Sequence, residues 1–189
     1  DADLPGDPVE VRGYELTYGE NVTNGRIAVF DVSGLGETTR VNTSGVIVRN
    51  TDREIWSTAV STDDLADSGA STVRLGGLGW QESVTATRTG WAAVGGDTTY
   101  RVSLSHDNTT RTLYHSSGVE AEPIVAGQRV RLNATQTGFA VGVNGSTAPL
   151  PAQNESVTLG RLQLYNQGTG LVAAHNRSGT AVRVANRAN

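Results

Sequence analysis

Three common residue types are missing from this chain, whose 189 residues include no cysteine, no lysine and no methionine. Without cysteine there is no disulfide framework and no Cys-based zinc site. All 15 basic residues are arginines, set against 19 acidic residues, and the net charge is −4. No basic stripe is available to neutralise phosphates, which argues against a nucleic-acid partner. Arginine without lysine is typical of a GC-rich genome or of a high-salt habitat.

Aromatic residues and long apolar segments are also scarce. Phe, Trp and Tyr make up 5% of the chain, and the longest apolar runs are about four residues, as in Trp91–Val94. A bilayer-spanning helix needs roughly 20. The sequence starts at Asp1 without a signal-peptide pattern, which we interpret as a mature product or an excised domain.

N-glycosylation acceptor motifs are abundant. Seven N-x-[S/T] sequons occur, where chance would give roughly two. They begin at Asn21, Asn42, Asn108, Asn133, Asn144, Asn154 and Asn176. The excess predicts an extracellular or cell-surface protein that carries N-linked glycans. An Asn in this motif also suits Asx-turns and caps, and both roles require an exposed loop.

Alternation of apolar and polar residues dominates the chain. Fourteen short stretches read as strands: 9–18, 26–32, 45–49, 55–60, 72–75, 83–88, 99–104, 111–115, 128–133, 139–143, 156–159, 161–165, 171–175 and 181–184. Glycine and asparagine separate most of them. The pattern predicts an all-β fold of sandwich-type antiparallel sheets with at most one or two short helical turns.

One segment, Ser61–Gly69, departs from this alternation. Ser61 is a suitable N-cap, Asp63 and Asp64 suit the positive N-terminal end, and Gly69 can end the turn. The alternative is a Ca²⁺ loop that uses Asp63, Asp64 and Asp67. Their spacing lacks the order of a calcium-binding loop, so a helical turn is favoured and no metal site is assigned.

The two halves of the chain differ in composition. All three tryptophans precede residue 100, and five of the seven sequons follow residue 105. We expect a first β-sandwich-like domain over 1–105 and a smaller β domain over 106–189; one continuous domain is the alternative. Segment 105–110 is polar and is either a hairpin loop or the boundary.

Catalytic motifs are absent from the sequence. The three histidines form no zinc-like pair, and His106 merely precedes Asp107. There is no G-x-S-x-G elbow, and the Ser-Gly dipeptides fit turns. Residues 76–79 are glycine-rich but lack the lysine and the helix of a phosphate loop, so they predict a tight connection or bulge between strands. We expect no enzymatic activity and no cofactor.

The tryptophans are the remaining candidates for a binding surface. Trp56, Trp80 and Trp91 could form a platform for a ligand or a partner. Trp56 and Trp91 lie in apolar strand context, where tryptophan usually belongs to the core. Trp80, between Gly79 and Gln81, is the one we most expect to be exposed.

Three stretches resemble a known family. They are Tyr14–Thr23, Thr43–Val48 with Arg53–Val60, and Leu75–Val84 running on to Gly90-Trp91. Together they resemble the extracytoplasmic β domain attached to haloarchaeal rhomboid-family membrane proteins, over about the first 105 residues and more loosely beyond. Rhomboids use a membrane-embedded Ser–His dyad with the serine in a G-x-S-G loop. This chain has no such loop, so the resemblance implies an accessory domain and transfers no catalytic residue.

Location and resemblance together predict a non-catalytic, glycosylated cell-surface domain. Its expected partner is a surface protein or a membrane domain of the same gene product. One alternative is a homo-oligomeric structural subunit of a pilus, sheath, S-layer-associated or viral coat assembly, in which the segment before Val11 could add a strand to a neighbour's sheet. Another is a secreted carbohydrate-binding module or hydrolase.

Overall fold

The fold is all-β, as the alternation predicts. A computed structural model describes residues 4–24 and 41–189, and these ranges contain sixteen strands and one short helix in antiparallel sheets. No helix within them is long and apolar enough to cross a bilayer. The predicted strand 26–32 lies outside the described residues.

The chain divides into two compact units. One comprises 1–87 and 102–114, and the other 88–101 and 115–189. The expected division near residue 105 differs from this arrangement, because the chain passes from one unit to the other three times. Two long strands, β6 (Trp80–Ala93) and β7 (Thr98–His106), each contribute residues to both units.

The first unit contains a four-stranded antiparallel sheet in the order β1-β2-β3-β4. Its further strands are β5, which pairs with β6, and β8. The bounds are β1 Val9–Val11, β2 Tyr14–Asn24, β3 Val41–Asn50, β4 Ile55–Ser61, β5 Ala70–Gly77 and β8 Thr109–His115. Leu16, Val46 and Val84 are fully buried in its core, and β3 buries side chains on both of its faces at Val46–Val48.

The predicted strand 9–18 is interrupted in the structure. Arg12 and Gly13 both have positive φ, 47° and 80°, and form a two-residue turn between β1 and β2. A turn of this kind matches the twist of the flanking strands. Val9–Val11 pairs with Tyr14–Leu16 of the same chain and lies at the end of the order β1-β2-β3-β4, so addition to a neighbour's sheet would use the outer edge of β1.

The predicted helical turn is confirmed. Helix α1 spans Thr62–Ser68, with Ser61 as N-cap and Gly69 as a left-handed C-cap at φ 75°. The Ser61 hydroxyl accepts a hydrogen bond from the Asp64 N–H at 3.1 Å and donates to the Asp64 carboxylate at 2.6 Å. Asp63 and Asp64 therefore lie in the first turn of α1, where the helix dipole favours negative charge.

The second unit contains the four-stranded sheet β12-β11-β10-β9 and the strands β13 to β16, of which β16 pairs with residues 90–93 of β6. The bounds are β9 Val119–Val125, β10 Gln128–Ala134, β11 Phe139–Val143, β12 Ser146–Pro149, β13 Ser156–Leu159, β14 Leu162–Asn166, β15 Gly170–His175 and β16 Ala181–Ala188. Trp91, Leu132, Leu164 and Leu171 belong to its buried core. Strands β9 and β12 were not predicted; each contains a proline, a residue that argues against a central strand.

Candidate interaction site

Three turns of the first unit and the end of β7 carry side chains that, apart from the exposed Leu78, contact one another. We call this group the hairpin cluster. It consists of Arg12 (β1–β2 turn), Tyr14, Arg53 (β3–β4 turn), Leu78 (β5–β6 turn), Trp80, Glu82 and His106 (end of β7).

The turn between β5 and β6 exposes an apolar side chain. Gly77 pairs with Trp80, so only Leu78 and Gly79 connect the two strands, and Gly79 has a φ of 78°. The predicted tight connection is therefore confirmed. Leu78 is 101% exposed and is one of three large hydrophobic residues exposed in the described ranges, with Ile124 and Tyr165.

Trp80 lies half-buried beside this turn. Its ring packs edge-on against Tyr14, with centroids 6.1 Å apart and an interplanar angle of 70°. The Arg12 guanidinium lies over the indole at 5.3 Å from the ring centroid. A Cβ on Gly77 would lie 2.1 Å from the indole Nε1, so glycine is needed there for the ring to lie against β5. The indole is thus held in one orientation by its neighbours.

Arg53 and Tyr14 share one carbonyl. The Tyr14 hydroxyl and Arg53 Nη1 both donate to the Gly76 carbonyl oxygen, each at 2.9 Å. Arg53 Nη1 also donates to the Tyr14 hydroxyl at 3.1 Å, and its guanidinium lies 5.8 Å from the Tyr14 ring centroid. Arg53 is exposed, and no carboxylate among the described residues pairs with it. Its remaining donors face solvent and can receive an anionic group.

Glu82 joins the side chains of Arg12 and His106. One carboxylate oxygen accepts from Arg12 Nε at 2.5 Å and the other from His106 Nε2 at 2.6 Å. The hydrogen bond with His106, followed by that with Arg12, holds the pKa of Glu82 below its usual value. Sequence inspection missed this residue, because Glu82 and His106 are 24 positions apart on different strands and no local pattern links them.

Glu82, His106 and Asp107 are the one group of potential metal ligands that converge within the described ranges, with ligand atoms within 4.8 Å. Both oxygens of Glu82 are already engaged, and the Asp107 side chain is 84% exposed. A bound cation would also lie beside the Arg12 guanidinium. We therefore interpret the group as an ion-pair cluster.

Replacing Glu82 with glutamine is expected to remove a pH-dependent stabilisation. Because the pKa of Glu82 in the folded chain is lower than its ordinary value of 4.5, the carboxylate stabilises the fold above that pH. The stabilisation is lost as the pH falls through the lowered pKa. Urea unfolding should show Glu82→Gln to be less stable than the parent at pH 7, with a smaller difference at about pH 3, below the ordinary value of 4.5.

The control for this comparison is Glu155→Gln, since Glu155 is exposed and forms no ion pair in the described part of the chain. It should follow the parent at both pH values. If the deficit of Glu82→Gln persisted undiminished at pH 3, the ion-pair interpretation would be wrong.

The three tryptophans do not form one platform. Trp91 is 1% exposed and belongs to the core of the second unit, so the prediction that it contributes to a surface is wrong. Trp56, on β4, is half-buried, and its buried indole N–H has no hydrogen-bond partner within the described ranges. Trp80 alone belongs to the hairpin cluster.

Six of the seven sequon asparagines are exposed. Asn133 is half-buried and accepts a hydrogen bond from Arg131 Nε at 3.2 Å. Four of the seven have positive φ, at Asn21, Asn108, Asn144 and Asn154. These four fill left-handed positions that asparagine tolerates better than most residues, so the turn role is real whether or not a glycan is attached.

Comparison of the chain with models of known families, with characterised proteins and with solved structures finds no match. The resemblance to the rhomboid-associated β domain therefore stays a prediction. The hairpin cluster is the feature from which a function can be argued.

Proposed function

We propose that this chain is a non-catalytic interaction domain displayed at the cell surface, as the accessory extracellular part of a haloarchaeal membrane protein. It binds a protein partner through the hairpin cluster. The observation that carries the proposal is Leu78, which is fully exposed on a two-residue turn beside Trp80. The sequon excess and the arginine-only acidic composition support the extracellular, high-salt setting.

The composition of the hairpin cluster favours protein binding. Tryptophan, tyrosine and arginine are the residues most enriched among those that dominate binding energy at interfaces. The exposed leucine at the tip of the turn offers apolar area, and removal of this area from water by a partner contributes favourably to the free energy of binding. Arg53 adds a cation without a carboxylate partner in the described chain, which suits an acidic group on the partner.

The cluster is also rigid before binding. Trp80 is held by Tyr14, Arg12 and the absence of a side chain at Gly77. Arg53 is held by two hydrogen bonds from one guanidinium nitrogen. A surface whose side chains are already ordered loses less conformational entropy on association. This arrangement favours binding over a purely structural role for the turns.

The test uses a photo-reactive amino acid at position 78 of the purified chain, mixed with envelope preparations from the producing cells. The control carries the same group at Ile124, which is 58% exposed and belongs to the other unit. A discrete cross-linked protein from position 78, absent from position 124, is the expected result. Equal labelling at both positions would count against the proposal, and a cross-link to the chain itself would favour the assembly alternative.

With the cross-linked protein in hand, Leu78→Asp is expected to weaken its binding about 30-fold or more, since interface anchors are worth about 2 kcal/mol or more. The matched variant Ile124→Asp should leave affinity unchanged. Both can be measured by calorimetry at constant salt. A change of less than about threefold in Leu78→Asp would exclude Leu78 as an anchor.

A further inference from the structure

A cationic pocket lies in the second unit, apart from the hairpin cluster. It has a volume of about 360 Å³ and is lined by Gly160, Arg161, His175, Asn176 and Arg177. Two arginines and a histidine therefore meet without any acidic residue among the lining. In a chain with net charge −4, such a grouping requires an explanation.

Of the thirteen arginines in the described ranges, seven pair with a carboxylate or lie over an aromatic ring. Four pair with carboxylates and three others lie over aromatic rings; they are Arg12, Arg49, Arg129, Arg131, Arg53, Arg88 and Arg187. Arg161 and Arg177 have neither kind of partner within the part of the chain that the structure describes. Both are exposed, so their guanidinium donors are available.

Backbone hydrogen bonds place the two arginines. Arg161 follows Gly160 in the two-residue turn between β13 and β14, where Gly160 has a φ of 60°. Arg177 lies in the loop between β15 and β16. The Asn176 N–H donates to the Arg161 carbonyl at 3.2 Å and so ties the two loops together. The backbones that carry the two arginines are therefore held next to each other.

His175 adds a third donor. Its Nδ1 accepts a hydrogen bond from the Ser178 N–H at 3.2 Å. With Nδ1 engaged as an acceptor, the ring proton of the neutral imidazole is on Nε2, which leaves an N–H donor. The loop is closed further by the His175 N–H, which donates to the Thr180 carbonyl at 3.0 Å.

The geometry points to an oxyanion-binding site in this pocket, formed by Arg161, Arg177 and His175. Its ligand is a carboxylate, sulfate or phosphate group. Planar guanidinium donors match such oxygens well, and their hydrogen bonds to a charged acceptor are about twice as strong as neutral ones. The volume lies within the usual range for small-ligand sites.

Asn176 gives the site two possible sources of its anion. This residue opens the sequon Asn176-Arg177-Ser178, so an attached glycan would begin at the pocket wall. An acidic sugar of that glycan could fill the site from within the same molecule. Otherwise the anion is free in solution or borne by another molecule.

The site is tested by NMR titration of the unglycosylated chain with sulfate, at ionic strength held constant with sodium chloride. We expect saturable shifts confined to the amides of 160–161 and 175–178 and to the Nε–H groups of Arg161 and Arg177. Arg161→Gln and Arg177→Gln should each weaken binding about tenfold, the equivalent of one charge-assisted hydrogen bond. Arg177→Gln keeps the sequon intact, and Arg111→Gln, an exposed arginine of the other unit, is the matched control.

The glycosylated chain identifies the source. If the glycan's own acid fills the pocket, sulfate binding is lost in the glycosylated chain and returns in Asn176→Gln. If sulfate binds the glycosylated and unglycosylated chains equally, the anion comes from outside; both results support the site. Shifts that do not saturate, or that respond equally to Arg161→Gln and Arg111→Gln, would overturn it.

Discussion

Replacing Trp91 with alanine is expected to lower the free energy of unfolding by about 3–5 kcal/mol. Trp91 is 1% exposed and packs in the core of the second unit with Leu132, Leu164 and Leu171. Truncation removes a large apolar area and leaves a cavity that the neighbouring strands can close only in part. The Arg187 guanidinium, 6.0 Å from the Trp91 ring centroid, also loses its contact. Urea unfolding followed by circular dichroism gives the change directly.

Two further variants test whether burial of the ring accounts for the loss of stability in Trp91→Ala. Trp91→Phe keeps an aromatic ring and should cost less than the alanine variant. Trp80→Ala should cost only about 1–2 kcal/mol, the sum of one edge-to-face contact and one exposed cation–π contact. If Trp80→Ala lowered the free energy of unfolding as much as Trp91→Ala, the assignment of Trp80 to the surface and of Trp91 to the core would be wrong.

Features that depend on residues close together in the sequence were predicted correctly. Local patterns predicted local structure: the Ser61 cap, the Gly69 stop and the turn at residues 78–79 all occur as expected. In each case the deciding interactions lie within a few residues of one another. The all-β class follows for the same reason, because alternation is a local property of each strand.

The hairpin cluster could not be predicted in the same way. Arg12 and Glu82 are 70 residues apart, and Arg53 and Tyr14 are 39 apart. Their contacts depend on which turns the sheets bring together, and no spacing in the sequence encodes that. The apolar context of Trp91 did indicate a core position, whereas grouping it with Trp80 required a shared surface that the fold does not provide.

One of the seven sequons, at Asn108, lies close to the hairpin cluster. Five of the seven follow residue 105, whereas all three tryptophans precede residue 100. Asn108, however, is exposed in the β7–β8 turn, two residues after His106. A glycan there would flank the hairpin cluster and would have to be compatible with a bound partner. A glycan on Asn108 would therefore lie next to the proposed binding surface.

Replacing Gly45 with alanine is expected to destabilise the first unit by about 3 kcal/mol or more, a loss typical of strain combined with steric overlap. Gly45 lies within β3 with a φ of 144°, which side-chain-bearing residues rarely adopt. A Cβ would lie 2.0 Å from the Val60 carbonyl oxygen and 2.9 Å from the Ser61 Cα on β4. Both atoms belong to backbone, so no rotamer change relieves the overlap. The two strands must move apart and weaken their ladder of hydrogen bonds.

Gly79→Ala is the matched control for this prediction. Gly79 belongs to the same unit and also has positive φ, at 78°, but a Cβ there would meet nothing within 4 Å. Its cost should be limited to the backbone strain of a left-handed residue, about 1–2 kcal/mol. The difference between the two variants in urea unfolding therefore reports the contact between β3 and β4 together with the larger backbone strain at φ 144°. Equal losses in both would show that Gly45 is required for its backbone angle alone, and that the close approach of the strands carries no cost.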